Sequence, residues 1–213
     1  MTGLYKVHYF PGYGRAEAMR MLMSHAGIQY GEQNYNFPDL PELKIAGKIE
    51  FGQLPVLEKN GKFYSQTFSI LRYLGQVHGY YPEDPYQAYL ADSILDSMND
   101  IMGALYKGIF NPVEELKVLF MTEFYEKVLP RFFAAFQKRI EANPSGFIVG
   151  DKISIADFSV VSFAYGTFLN DLCPLKEQVE GVAKQFPKFY QYCINFGESQ
   201  LKNHLETRKK YPG

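Results

Sequence analysis

The chain contains no tryptophan, and among its 213 residues there are only two cysteines and four histidines. Cys173 and Cys193 form no CxxC pair, which excludes a dithiol redox motif, and both read as reduced thiols of a cytosolic protein. His8, His25, His78 and His204 are scattered without metal-ligand spacing, so structural or surface roles and no metal are expected. A net charge of −1 gives no field that would draw nucleic acid or an anionic membrane. No apolar run approaches the roughly 18 residues of a membrane span, and MTGLYKVHYF lacks the basic and apolar regions of an export signal. What is present is ordinary for a globular protein: 46% apolar and 21% charged residues, in a chain long enough for one large domain or two small ones.

The hydrophobic period changes along the chain. Tyr5 to Tyr9 alternates as a short strand, and Ala16, Met19, Leu22, Met23 and Ala26 then follow helical spacing up to a stop at Gly27. Residues 28–35 supply a second strand by position, and 37–52 reads as irregular. Residues 55–58 and 62–64 flank Asn60-Gly61, the two-residue hairpin signal. A second helix carries Phe68, Leu71 and Leu74 along one side. This order, βαβ followed by ββα, describes a small α/β layer of the thioredoxin type. HGYYPEDP, at 78–85, holds two prolines and no periodicity and reads as a linker. Everything after it reads helical, with one stripe from Leu90 to Leu105 and another from Leu116 to Phe136 that Pro130 should bend. Ser154-Ile155-Ala156-Asp157 is a capping box with Ile153 and Phe158 as its staple, a structural helix start rather than a chemical motif. The expected fold is therefore α/β plus all-α: a thioredoxin-like domain at 1–77, a linker at 78–85 and an all-helical domain at 86–213.

YKVHYFPGYGRAE, FGQLPVLE, SQTFSILRYL and GDKISIADF, in that order across essentially the whole chain, resemble the cytosolic glutathione transferases. The similarity is nearest to the sigma-like, tyrosine-type class. It implies a homodimer that binds no nucleic acid or membrane. It also implies glutathione as co-substrate, without a metal, and conjugation to hydrophobic electrophiles, with isomerase or peroxidase chemistry as further options.

Such chemistry needs the thiolate of glutathione, since the thiol is a poor nucleophile. Moving a thiol from an unperturbed pKa of about 8.5 to below neutrality takes roughly two units, about 2.7 kcal/mol. One hydrogen bond to a charged acceptor supplies roughly 1.5–3 kcal/mol, so a single hydroxyl nearly suffices and no general base is required. By resemblance that hydroxyl belongs to Tyr9, at the end of the first strand beside a helix N-terminus, with Arg15 supporting it by charge or by orienting the phenol. Gln66 and Thr67, at a helix start where backbone N–H groups are free, match the pair that holds the γ-glutamyl end. Leu54 and a cis Pro55 match the segment that pairs with the cysteinyl backbone, and Gln53 lies toward the glycine end. Lys44 matches the basic partner of the glycine carboxylate. Leu40 stands where the family often has a tryptophan, so the indole donor is missing. Asp100, within LDSMND, corresponds to the residue that reaches the γ-glutamyl ammonium across the dimer. Phe10, Tyr13, Met102 and Tyr106 are expected to wall the electrophile pocket. A disulfide oxidoreductase is excluded by the missing CxxC, and a cysteine-type transferase by the absence of any cysteine before residue 173. The competing reading is a non-catalytic, crystallin-like structural or ligand-binding protein on the same fold.

Overall fold

The structure, a computed structural model, describes residues 4–213. Its N-terminal part is a four-stranded sheet in the order β2-β1-β3-β4, formed by β1 (Tyr5–Tyr9), β2 (Tyr30–Asn34), β3 (Val56–Lys59) and β4 (Lys62–Ser65). β1 and β2 run parallel, joined through helix α1 (Glu17–His25), because parallel neighbours need a crossover. β3 pairs antiparallel with both β1 and β4. The β3–β4 turn has Asn60 at φ 52° and Gly61 at φ 74°, the left-handed pair that lets a two-residue hairpin follow the strand twist. Gly27, at φ 67°, ends α1 where the sequence places the stop.

The stretch expected to be irregular is partly ordered. A 3-10 turn (Phe37–Asp39) leads into α2 (Leu40–Ile45), a helix that buries only Leu43 and so shows no apolar period. Helix α3 (Thr67–His78) ends at Gly79 in the left-handed conformation, and α4 (Pro85–Ile109) starts from Asp84, whose side chain accepts from the amides of Tyr86 and Gln87. The second apolar stripe keeps a helical backbone throughout but changes pitch: α5 (Glu114–Glu123) passes into a π-turn (Phe124–Val128) and then α6 (Leu129–Ala142). Pro130 lies just after the π-turn, the kind of local widening by which a helix accommodates a missing N–H.

Helix α7 (Ile155–Gly166) is buried almost all round and packs on α1 and α4, tying the sheet layer to the helices. Its capping box forms as expected: Ser154 Oγ accepts from the Ala156 amide at 3.3 Å, and the Ser154 amide donates to Asp157 at 2.7 Å. Asp157 also accepts from the Ile148 amide and from the Tyr192 hydroxyl at 2.6 Å. Burial nevertheless pushes its carboxyl above the ordinary range, with those donors pulling the other way. Helices α8 (Lys176–Ala183), α9 (Pro187–Gln200) and α10 (Lys202–Thr207) complete the chain.

α10 and the residues after it return to α1. Glu17, only 1% exposed, accepts from His204 at 2.8 Å, Arg208 at 2.7 Å and Arg20 at 3.2 Å. Burial alone would raise the Glu17 carboxyl, but the His204 hydrogen bond and the two guanidinium charges outweigh it and hold it at about 2. Arg20 in turn binds Glu32 of β2 at 2.5 Å.

Candidate active site

The tip of β1 and the turn that follows it build the centre of the site. Tyr9 closes the strand, and its hydroxyl accepts from the Arg15 amide at 3.0 Å. Gly14 makes this approach feasible. Its φ is +35°, and a Cβ there would stand 2.5 Å from the Tyr9 oxygen and 3.2 Å from the Tyr106 oxygen. Both phenols therefore crowd one glycine. Burial holds the Tyr106 phenol well above its ordinary range; the Tyr9 phenol beside it adds to this and Arg15 opposes it. The Arg15 guanidinium donates to Asn99 Oδ1 at 3.0 Å and lies 5.2 Å from the centre of the Tyr106 ring.

Two adjoining hollows open here. The first, about 690 Å³, is lined by Tyr9, Arg15, Leu40, Gln53, Gln66 and Thr67 among others. Leu54 and Pro55, joined by a cis peptide bond, also border it, as does Phe10. At its far wall Ser65 ends β4, and its buried Oγ has no hydrogen-bond partner among the described residues. Gln66 follows at φ 70°, a conformation that costs a non-glycine residue roughly 1–3 kcal/mol and is typical of functional sites. The first intrahelical bond of α3 runs from the Ile70 amide to Gln66 O, which leaves the amides of residues 67–69 at the helix N-terminus without helical acceptors. An orphan hydroxyl, free amides and the positive end of a helix dipole make a seat for a carboxylate. The second hollow, about 400 Å³, lies between α1, α4 and α7 and is lined by Met98, Met102, Leu105 and Tyr106, with Cys173 at its edge. Burial raises the Cys173 thiol, so it is not a ready nucleophile.

Three expected residues stand apart. Tyr13 borders neither hollow, contrary to the sequence-based expectation. It is 2% exposed, donates to Lys209 O at 3.1 Å, accepts from the Tyr211 amide at 3.2 Å and carries the Arg208 guanidinium 3.9 Å above its ring. Its own amide donates to Gly213 O at 2.8 Å. The tail takes the ring out of the pocket, and Pro212 and Gly213 line the second hollow in its place. Lys44 is exposed on α2, outside the lining of the first hollow. Asp100 is exposed on α4, next to the lining residue Asn99 but not itself in the wall. Phe37, Phe110 and Ser65 line the first hollow without having been singled out from sequence. Phe37 and Phe110 carry no polar signature, and a serine preceding a helix looks like an ordinary cap. Among the described residues, no cluster of three or more His, Cys, Asp or Glu side chains could hold a metal. No described helix is long and apolar enough to cross a membrane.

The family model for the glutathione S-transferase N-terminal domain matches residues 5–76, and that for the C-terminal domain matches residues 99–208. Glutathione S-transferase A3 of Homo sapiens is 32% identical over 78% of this chain and 74% of its own length. Probable glutathione S-transferase 6 of Caenorhabditis elegans is 30% identical over 81% of this chain and 84% of its own. The structure of monomeric Na-GST-3, a glutathione S-transferase of Necator americanus, superposes with a TM-score of 0.81 at 27% identity, covering 99% of this chain and 100% of that one. The chain belongs to the glutathione S-transferase family. It is an enzyme that takes glutathione as co-substrate and conjugates it to electrophiles.

Proposed function

We propose that Tyr9 donates its hydroxyl hydrogen to the glutathione sulfur and keeps it as thiolate, which then attacks a hydrophobic electrophile. What carries this reading is the Tyr9 oxygen, which borders the first hollow, accepts from the Arg15 amide and meets the Tyr106 hydroxyl, a setting in which its own proton can serve the sulfur. Accepting one hydrogen bond strengthens the phenol as a donor. Arg15 supplies the amide and, through its guanidinium, positive charge beside the sulfur. Gln66, Thr67 and Ser65 receive the γ-glutamyl carboxylate. Gln53, Leu54 and Pro55 line the backbone of the tripeptide, and Leu40 flanks its glycine end. Met102, Phe10 and Tyr106 face the electrophile. Residues 1–77 are taken as the glutathione-binding domain and 86–213 as the helical domain.

A sigma-like subclass, a cytoplasmic setting and a role in detoxification belong to the same reading. So does a homodimer, in which an exposed Asp100 would reach a partner's glutathione and Lys44 would close on the glycine carboxylate once ligand binds. Isomerase or peroxide-reducing activity would use the same thiolate. The alternative, a crystallin-like protein, would retain the fold without turnover. Retention on immobilised glutathione followed by turnover of an aryl halide separates the two: both are expected here, and retention without turnover would favour the structural protein.

A further inference from the structure

Two phenols from different parts of the chain share one small residue. A Cβ at Gly14 would stand 2.5 Å from the Tyr9 oxygen and 3.2 Å from the Tyr106 oxygen, so the hydroxyl ends of both rings reach the same point. Tyr106 lies near the end of α4, and it borders both hollows. Its ring is flanked by the Phe110 ring, with centres 5.6 Å apart, and by the Arg15 guanidinium at 5.2 Å. The ring therefore walls the pocket while its hydroxyl meets the Tyr9 oxygen at the tip of β1. A phenol oxygen can accept more than one hydrogen bond, and at Tyr9 the Arg15 amide supplies one at 3.0 Å.

We propose that the Tyr106 hydroxyl donates to the Tyr9 oxygen, which makes Tyr106 a positioning residue that acts on the glutathione sulfur only through Tyr9. The inference rests on the Tyr9 reading. With the Arg15 amide and the Tyr106 hydroxyl both donating to it, the Tyr9 oxygen has its own hydrogen left for the sulfur. Each incoming donor polarises the phenol and strengthens that outgoing bond. Tyr106 suits the part because burial, and then the Tyr9 phenol, hold its hydroxyl protonated well above the ordinary phenol range, against the opposing charge of Arg15. It stays a donor across the range in which a thiol titrates. The other ionisable groups around the pair are Arg20, whose guanidinium lies 5.9 Å from the Tyr9 ring centre, and Lys117 and Cys173 on the second hollow. Among the described residues no Asp, Glu or His lines either hollow. No proton leaves either phenol in this arrangement, and the thiol proton passes to solvent.

The test follows the thiolate absorbance of bound glutathione against pH in the parent enzyme, Tyr106→Phe, Tyr9→Phe and the double variant. Tyr106→Phe should raise the midpoint by about 0.3–0.7 units, less than Tyr9→Phe does, because it removes the strengthening and leaves the bond to sulfur in place. In the Tyr9→Phe background the same substitution should add nothing, since the oxygen it serves is gone. At saturating glutathione, kcat/KM for Tyr106→Phe should fall about two- to fivefold near pH 6 and rejoin the parent above about pH 9. The factor should be the same for an aryl halide and for a 2-alkenal. An unchanged midpoint, an equal shift in both backgrounds, or a loss that varies with the electrophile and not with pH overturns the proposal and leaves Tyr106 as a wall of the pocket. If Tyr9→Phe itself leaves the midpoint in place, the role of Tyr9 falls and this inference with it. Once that shift is seen, the Tyr106 variants decide the inference alone.

Discussion

Two polar regions lie on either side of the turn after β1, and they differ in which groups go unpaired. Around Glu17, each carboxylate oxygen has a protein partner: His204 and Arg208 share one, and Arg20 takes the other. Arg20 Nη2 and Arg208 Nε nevertheless stay buried without a hydrogen-bond partner among the described residues. Around the first hollow, Ser65 Oγ is orphaned and the α3 amides await acceptors. Burial without partners costs more than most hydrogen bonds return; the ion pairs of the knot offset it there, whereas in the cleft a ligand can complete the set. The Glu17 knot holds the protein to itself; the cleft is built to hold something else.

Breaking the knot should produce the largest effect. Glu17→Ala leaves the Arg208 guanidinium without its counter-ion, His204 without its acceptor and Arg20 with Glu32 alone, and denaturant unfolding should show a loss of about 3–5 kcal/mol. Acid should reproduce much of this in the unmodified protein. The Glu17 carboxyl is held at about 2 against an ordinary 4.5. Its contribution is therefore complete above about pH 4.5 and is lost as pH falls through about 2, an effect of about 3 kcal/mol that Glu17→Gln should abolish. On the other side, Tyr9→Phe should leave the melting temperature nearly unchanged. It should shift the pH profile of bound thiolate upward by about one to two units, the worth of one hydrogen bond to an anion. A large loss of stability in that variant would erase the contrast. Ser65→Ala is the smallest perturbation. It removes an orphan, so stability should hold or rise slightly, while KM for glutathione should increase roughly two- to tenfold. An unchanged KM would mean that the hydroxyl serves neither protein nor ligand.

Local signals were legible in the sequence wherever the cause was local. The Asn60-Gly61 hairpin, the stop at Gly27 and the Ser154 capping box all depend on residues within a few positions of one another. Helix α2 was missed because one buried leucine makes no period. The π-turn at 124–128 was missed because a continuous apolar stripe hides a change of pitch. Tyr13 was misassigned for a different reason: its partners, Lys209, Tyr211 and Gly213, lie some two hundred residues away, and no spacing rule reaches that far. Within the cleft, Tyr9, Arg15 and Gln66 could be picked out by motif. Phe37 and Phe110, which also line it, could not, since they look like ordinary apolar residues until the fold brings them together.

The tie between Tyr13 and residues 209–213 also has a mechanical consequence. Tyr13 O accepts the amides of Ala16 and Glu17, while its hydroxyl and ring are held by Lys209, Tyr211 and Arg208. The turn that carries Arg15 to Tyr9 is thus clamped from outside the sheet layer. A change that loosens residues 209–213 would slacken that turn and leave the strands as they are.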